Sequence, residues 1–201
     1  FGLVFAKSPE VLRAELPATL EDADNDLPGV VRVALDRAFA HWRTLEVELA
    51  WCDAQIAEHA RQDAQTRQLT AITGIGPTSA SALVASVGDF GQFRSASQFA
   101  AWIGLVPRQN SSGGKTSLGG ITKRGQDYLR TLLIQGARSV VGTASRRSDP
   151  TSRWILQLQQ RVGWQKTLVA VANKNARIAW AVLVRGRPFE AHYERTRAAR
   201  I

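Results

Sequence analysis

Two adjacent serines, Ser111 and Ser112, lie in a glycine-rich stretch, residues 102–130, that reads WIGLVPRQNSSGGKTSLGGITKRGQDYLR. The Gly-Gly pairs at 113–114 and 119–120 let the backbone take positive φ and approach a ligand, at an entropic cost that a bound polyanion would offset. The stretch also carries these cationic side chains: Arg108, Lys115, Lys123, Arg124 and Arg130. Hydroxyls, exposed amides and cations are the groups that hold phosphate oxygens. Residues 102–130, called the serine segment below, are therefore predicted to bind a phosphate backbone; the alternative is a solvated hairpin between helices.

Phosphodiester cleavage needs either metal ions held by clustered carboxylates or a side-chain nucleophile assisted by cations. Residues 69–201 contain only these carboxylates, in no spacing typical of a two-metal site: Asp89, Asp127, Asp149, Glu190 and Glu194. The lone Cys52 and the scattered histidines (His41, His59 and His192) lack zinc-ligand spacing. We therefore expect no metal or other cofactor in this chain, and we expect the cations of the serine segment to stabilise a serine's attack on phosphorus.

A second candidate for phosphate contact is the Gly74-Ile75-Gly76 turn, within the sequence LTAITGIGPTSASALVASVG. A short helix before the turn, Pro77 at a first helical position and a small-residue helix after it predict a helix-hairpin-helix. The glycines expose the turn's amides, and the second helix directs the positive end of its dipole outward. We expect Gly74 and Gly76 to contact DNA; a plain connection between helices is the alternative.

The periodicity of the rest predicts a mainly α-helical protein, with no strand-like alternation. Apolar residues at alternating spacings of three and four form a heptad stripe, called the first stripe below: Val31, Leu35, Ala38, Trp42, Leu45, Leu49, Cys52, Ile56 and His59. This pattern predicts a long coiled-coil-like helix that pairs with a second copy of the chain, giving a homo-oligomer through residues 31–59. The alternative is a helix folded back on its own domain.

A compact helical domain, containing the helix-hairpin-helix and the glycine-rich serine loop, is expected to follow the long helix. We predict a helical connector and coiled-coil region at 1–65, a DNA-binding and serine domain at 66–190, and a tail at 191–201. On the last long helix, a polar stripe fits solvent and DNA equally well: Lys166, Asn173, Lys174 and Arg177.

Charge divides the chain in two. Residues 1–68 hold 7 basic and 12 acidic side chains, whereas residues 69–201 hold 19 basic and 5 acidic ones, within an overall charge of +9. A basic surplus of this size is typical of nucleic-acid binding, so DNA is the expected partner. No apolar run is long enough to cross a membrane and no signal peptide is recognisable, so we expect a cytoplasmic protein without membrane contact. Because the chain starts at Phe1 and lacks methionine, we expect it to be a fragment.

The run SSGGKTSLGGITKRGQDYLR, preceded by GLVP and by the glycine turn within residues 72–84, resembles the C-terminal transposase domain of the IS110 family, insertion-sequence recombinases guided by a bridge RNA. The resemblance covers roughly residues 66–190 with specific motifs and residues 1–65 more loosely. In that family a serine directly before a glycine is the nucleophile that joins to DNA. The resemblance places this role on Ser112, which precedes Gly113, with Ser111 as its rival.

The resemblance also implies a longer parent protein. Its N-terminal domain would bind divalent metal, expected to be Mg²⁺, through four acidic residues, and its active site would combine domains from different subunits. That acidic domain is absent from this sequence, so the fragment is expected to be inactive alone. Two other functions stay open: a non-catalytic helix-hairpin-helix module that only grips DNA, and an oligomerisation protein whose basic face is incidental.

Overall fold

The computed structural model describes residues 1–109, 117–186 and 188–190, and it confirms a mainly α-helical protein. Short 3-10 turns lie at Phe90–Gln92 and Ala144–Arg146. The helices and strands of the described residues are, in chain order, α1 (Pro9–Glu21), α2 (Gly29–Gln62), α3 (Ala64–Thr70), α4 (Pro77–Val87), α5 (Ala96–Ile103), β1 (Pro107–Gln109), β2 (Leu118–Ile121), α6 (Asp127–Thr143), α7 (Pro150–Val162) and α8 (Trp164–Arg185).

The chain divides into two compact units, Phe1–Ala54 and Gln55–Ile201, and the boundary falls inside the continuous helix α2. The sequence places a boundary further along the chain, between residues 65 and 66, where α2 has ended and α3 has begun. The predicted tail at 191–201 lies outside the described residues. The two units are described separately below, because each has its own packing.

In the first unit, α1 folds back along the N-terminal part of α2. Arg13 of α1 forms an ion pair with Glu46 of α2, and its guanidinium lies 5.6 Å from the ring centroid of Trp42. Arg32 of α2 donates to the carbonyl oxygen of Leu20, near the end of α1, at 2.8 Å. These contacts fix an antiparallel helix pair made within one chain.

This pairing uses part of the first stripe. Val31 and Leu35 line an apolar cleft together with the buried Leu16 of α1. Further along α2, Leu45 and Leu49 are 43% and 64% exposed. The folded-back arrangement therefore accounts for the N-terminal part of the first stripe, while pairing with a second copy of the chain stays a prediction.

The second unit is built around α8, which packs against α3, α5, α6 and α7. Its buried face is lined by small and branched residues, so its neighbours approach closely: Leu168, Val171, Ala172, Ala176, Ala179 and Val182. Beside it, Phe93 stands edge-on to Phe99 at 5.1 Å between ring centroids, and Trp102 stacks on Phe99 at 6.0 Å. These contacts bury the apolar face of α5 and hold the helix that leads into the serine segment.

Three side chains of α8 each donate a hydrogen bond to a backbone carbonyl of another element. Asn173 bonds Leu105 at 3.1 Å, and Asn175 bonds Thr73 at 3.0 Å. Nε1 of Trp180 bonds the carbonyl oxygen of Phe90 at 3.1 Å. A buried carbonyl oxygen without a hydrogen-bond donor lowers the stability of the fold. These three bonds therefore hold the neighbouring loops against α8, in addition to the apolar contacts of that helix.

A two-stranded antiparallel ribbon interrupts the helices. Pro107 of β1 pairs with Ile121 of β2, and Gln109 pairs with Leu118, with an irregular register between the two pairs. The sequence shows no alternation here, because three- and four-residue strands are too short for a period and β2 contains Gly119 and Gly120. This short ribbon leaves the prediction of a mainly α-helical protein confirmed.

Candidate nucleic-acid interface

Gly74 lies where the turn after α3 touches α6. Its φ is 91°, and a Cβ atom there would stand 2.6 Å from Cγ2 of Val140 and 3.1 Å from the carbonyl oxygen of Gly136. The preceding carbonyl, that of Thr73, is held by Asn175. Packing and backbone conformation therefore require glycine at position 74. The DNA contact predicted for Gly74 stays a prediction.

Gly76 is placed differently from Gly74. It is exposed, its φ is −84°, and a Cβ atom there would meet no atom within 4 Å. It is the N-cap of α4, no side chain caps this helix end, and Pro77 occupies the first turn. Amides in the first turn of a helix have no partner within the helix. The N-terminus of α4 thus faces open space, as the predicted phosphate contact requires.

The two ends of the serine segment meet in a backbone contact that we call the neck, formed by residues 102–106 and 122–125. Gly104 and Gly125 have φ of 84° and 95°. A Cβ atom on Gly104 would stand 2.2 Å from the carbonyl oxygen of Arg124, and one on Gly125 would stand 1.8 Å from that of Trp102. Neither position has room for a side chain, so both glycines are needed for the close approach.

Two hydrogen bonds cross the neck. The Thr122 amide donates to the carbonyl oxygen of Val106 at 2.9 Å, and the Lys123 amide donates to that of Gly104 at 3.3 Å. Lys123 itself has a φ of 55°, a left-handed conformation that costs a non-glycine residue about 1 kcal/mol. Its side chain is exposed. The neck therefore presents a cation on strained backbone.

Arg130 is buried, unlike the other predicted cations of the described residues. Its side chain is only 8% exposed and forms an ion pair with Asp127, whose side chain is 83% exposed. Nη1 donates to the carbonyl oxygen of Ile103, the last residue of α5, at 3.0 Å. This carbonyl is one of those that a helix C-terminus leaves without a partner. Arg130 thus bonds the end of α5, a contact that residue spacing in the sequence did not reveal. The phosphate contact predicted for Arg130 stays a prediction.

Beside the neck lies an open cleft of about 450 Å³, lined by Arg108, Gln109, Thr122 and Arg124. Nη2 of Arg108 approaches the carbonyl oxygen of Thr122 at 3.4 Å. Arg108 and Arg124 are both exposed. The fold thus brings these two predicted cations, sixteen residues apart in the sequence, to one polar concavity. Guanidinium groups bind phosphate oxygens through paired N–H donors, so two of them at one concavity suit an anion by charge.

Several predicted site residues lie outside the described residues. They are Ser111, Ser112, Gly113 and Lys115. In the sequence they fall between β1 and β2, and the cleft is lined by residues of β1 and by residues that follow β2.

The polar stripe of α8 serves partly as structure. Asn173 is the donor to Leu105, and Nζ of Lys174 lies 4.3 Å from the ring centroid of Trp154. Burial of Lys174 lowers the pKa of its ammonium group. Arg177 and Lys166 are exposed. For Arg177 and Lys166, exposure to solvent and contact with DNA therefore both stay open, as they do from the sequence.

Within the described part of the chain, no group of histidine, cysteine and carboxylate side chains is arranged to hold a metal ion. Asp149 caps α7, accepting from the amide and the hydroxyl of Ser152, and these bonds lower the pKa of its carboxyl group. Asp63 caps α3 by accepting from the backbone amide of Thr66, and this bond lowers the pKa of its carboxyl group. Of the helices described, none is both apolar and long enough to cross a membrane.

Residues 66–152 match the family model described as Transposase IS116/IS110/IS902 family. A protein of Pseudomonas aeruginosa named "Probable family 20 transposase" is 55% identical over 186 residues, which are 92% of this chain and 55% of that protein. The transposase for insertion sequence element IS1111A of Coxiella burnetii is 36% identical over 92% of this chain and 51% of its own length. The transposase for element IS1328 of Yersinia enterocolitica is 36% identical over 83% and 50%. The chain therefore spans about half the length of the curated relatives it matches.

Proposed function

Because the chain belongs to the IS116/IS110/IS902 family of transposases, we propose that it binds DNA and supplies the serine nucleophile for strand cleavage and exchange when an insertion sequence moves. Ser112 is the proposed nucleophile and Ser111 its rival. The observation that carries the proposal is the cleft lined by Arg108 and Arg124. The lining of the cleft comes from β1 and from the residues that follow β2, and both serines fall between these two strands in the sequence.

The cleft suits a phosphate group in charge and in shape. Guanidinium groups bind phosphate oxygens through paired N–H donors, and the bond strengthens as negative charge builds on the oxygens. Stabilisation of that charge is usually the largest contribution to catalysis of such reactions. Arg108 and Arg124 are proposed to provide it, with Lys123 beside them on the neck.

A serine mechanism also explains how strands are exchanged without an energy source. The Oγ–P bond to Ser112 would form as one P–O bond of the DNA backbone breaks, and the departing strand end would take the proton. Attack by the hydroxyl of another strand end would reverse the step and restore the serine. Each step exchanges one phosphate ester for another. The covalent intermediate therefore conserves the energy of the phosphodiester bond that was broken.

The N-terminus of α4 is proposed as a second contact with the DNA backbone. Gly76 leaves room at this end, and the free amides and the helix dipole attract a phosphate. Such a contact would be independent of base sequence, as expected for a grip on the backbone. The net positive charge of residues 69–201 would strengthen it and make it sensitive to salt.

Other parts of the reaction are proposed to come from outside this chain. The Mg²⁺-binding nuclease domain that the family resemblance implies would be supplied by the rest of a full-length transposase. A guide RNA would likewise be bound by that larger protein.

We propose that the chain forms a homodimer through α2, by a face other than the first stripe. The residues of this second stripe recur at spacings of three and four, and every one of them is exposed: Val30, Val33, Arg37, Ala40, Thr44, Val47, Trp51 and Ala54. Val30, Val33 and Val47 are 77%, 72% and 71% exposed. The face covered by α1 lies on the other side of the same helix, so it does not compete with this one.

Charge favours a parallel arrangement of the two copies. In a parallel, in-register pair, a flanking residue faces the residue five positions further along the partner helix. The second stripe would then place Asp36 opposite His41, and Arg43 opposite Glu48, in both directions. A symmetric antiparallel pair centred on the stripe would instead bring Arg43 against its own copy. In the parallel pair Arg37 of the stripe would lie beside its own copy, so the parallel homodimer is favoured by two flanking pairs against one like-charge contact.

The experiment that tests the serine is a search for a covalent bond to DNA. In a chimera, this chain would replace the matching 55% of the Pseudomonas aeruginosa relative. The chimera would be incubated with labelled insertion-sequence ends and then denatured. We expect label attached to the peptide that contains Ser112, and its loss in Ser112→Ala with DNA affinity unchanged.

Ser111→Ala is the matched control and should keep the attachment. Label that maps to Ser111 would move the nucleophile by one residue. If no label is attached although DNA binds tightly, the chain is a non-catalytic DNA-binding module. Weak binding that does not respond to ionic strength would favour an oligomerisation protein.

A further inference from the structure

One buried guanidinium group, that of Arg130, joins α6 to the end of α5 beside the neck. Arg130 belongs to the first turn of α6, and it reaches back to the carbonyl oxygen of Ile103 at the end of α5. Its second nitrogen is held by Asp127, in its own helix. A Cβ atom on Gly104 would stand only 2.9 Å from Nη1 of Arg130, so the guanidinium also lies directly against the neck.

We propose that Arg130 is a positioning residue for the serine chemistry. By bonding the last carbonyl of α5 from the first turn of α6, it fixes the distance between the two points where the chain enters and leaves the ribbon. That distance sets how the ribbon, and with it the cleft, is held relative to α5 and α6. The inference rests on the proposed function, because the serine is what the ribbon is held in place to present.

Burial and pairing argue for this role over direct contact with phosphate. The side chain is 8% exposed, and both of its terminal nitrogens already have acceptors. A phosphate could replace those acceptors only if the carbonyl of Ile103 were left without a partner at a buried helix end. Exposed Arg108 and Arg124 carry no such cost.

Among the described residues, few bonds join the two sides of the neck. They are the backbone hydrogen bonds at Thr122 and Lys123 and the approach of Arg108 Nη2 to the carbonyl oxygen of Thr122, beside the close backbone approach at Gly104 and Gly125. On the α5 side, Leu105 is also held by its bond from Asn173 of α8. Loss of the guanidinium would let the two ends separate while the core around α8 stays packed. A misplacement of about 1 Å at a reacting group costs about a hundredfold in rate, so a small shift at the base would be felt at the serine.

The test compares Arg130→Gln and Arg130→Lys with the exposed control Arg138→Gln, which lies on the same helix. Amide hydrogen exchange is followed in the chain itself at Thr122 and Lys123, and at buried positions of α8. DNA affinity is measured against salt concentration. Attachment of DNA to the serine is timed in the chimera described above, at saturating DNA.

For Arg130→Gln we expect exchange at least about tenfold faster at the two neck amides, unchanged exchange in α8, and attachment slower by about a hundredfold. The slope of affinity against salt should not change, because no phosphate contact is lost. Arg130→Lys should recover part of the rate, since an ammonium group can still donate to Ile103. Arg138→Gln should leave exchange and attachment as in the wild type.

A salt slope that falls by about one would show a direct phosphate contact and overturn the proposal. So would unchanged protection at the neck, or protection lost equally throughout α8. If Arg130→Gln does not fold, Asp127→Asn weakens the same guanidinium from its exposed side and takes its place. If the wild type attaches no DNA, the serine mechanism fails, while exchange and salt slope still decide whether Arg130 holds the neck.

Discussion

Gly136 of α6 lies in direct backbone contact with Gly74, because a Cβ atom on Gly136 would stand 1.9 Å from the carbonyl oxygen of Gly74. The glycine turn is thereby anchored to the core on one side, while its other glycine, Gly76, faces open space. Packing against α6 explains why position 74 is glycine. Gly76 has no such packing contact and is available for a ligand.

This difference predicts opposite outcomes for two alanine substitutions. Gly136→Ala should lower the free energy of unfolding by about 3 kcal/mol, because the added methyl group overpacks a backbone contact that cannot give way. Gly76→Ala should leave stability within about 1 kcal/mol of the wild type and weaken binding to duplexes of any sequence. Urea unfolding and fluorescence anisotropy measure the two effects. Unchanged DNA affinity in Gly76→Ala would make the turn a plain helix connection.

Substitution of Lys123 tests whether a cation beside the cleft contributes to DNA binding. Two replacements can adopt the backbone conformation of Lys123. Lys123→Asn and Lys123→Gly both tolerate its left-handed conformation, so stability should stay within about 1 kcal/mol of the wild type. Both variants lose the ammonium group, so DNA affinity should fall and the salt slope should decrease by about one. Lys166→Asn, an exposed lysine at the start of α8, serves as a charge-matched comparison. If all three variants lose the same affinity, the cleft has no special role.

The cap of α7 predicts a dependence of stability on pH. Hydrogen bonds from Ser152, with the nearby charge of Arg147, hold the pKa of Asp149 below its ordinary value of 3.8. The cap is therefore fully stabilising above about pH 4, and this contribution is lost as the pH falls through the lowered pKa of the folded state. Asp149→Asn keeps an acceptor but no titrating group.

The difference in unfolding free energy between wild type and Asp149→Asn should stay constant above about pH 5 and shrink as the pH falls below about 4 toward the lowered pKa of Asp149. Asp149→Ala should cost about 1 kcal/mol at neutral pH, the usual effect of losing an N-cap. Chemical denaturation at several pH values gives these numbers. A difference that does not vary with pH would mean that the charged form of Asp149 adds nothing to the cap.

Two double substitutions separate the two stripes of α2. Val33→Asp with Val47→Asp should convert the proposed dimer to a monomer, because charges would enter the apolar seam. Leu45→Asp with Leu49→Asp, on the exposed remainder of the first stripe, should leave the dimer intact. All four positions are exposed in the chain, so folding should not suffer. Sedimentation velocity is the measurement, and the reverse pattern would restore the first stripe as the seam.

Helices could be predicted from local signals, because caps and periodicity act within a few residues. Pro77 stands at the start of α4, as its place after the glycine turn predicts. Contacts between distant residues left no such signal. A charged residue such as Arg130 is normally expected on the surface, and its partner at Ile103 lies 27 residues away. The heptad spacing of the first stripe could not show that α1 covers part of it.

The close approach of Gly104 to Arg124 and of Gly125 to Trp102 also brings two distant parts of the chain together at the base of the ribbon. Because β1 and β2 start from adjoining points, the connection between them can be lengthened at little cost, about 0.6 kcal/mol for each doubling of a flexible loop. Leu105 stays in the core whatever follows β1. A longer connection is therefore expected to leave the packing of α5, α6 and α8 unchanged and to alter only the surface that the ribbon presents.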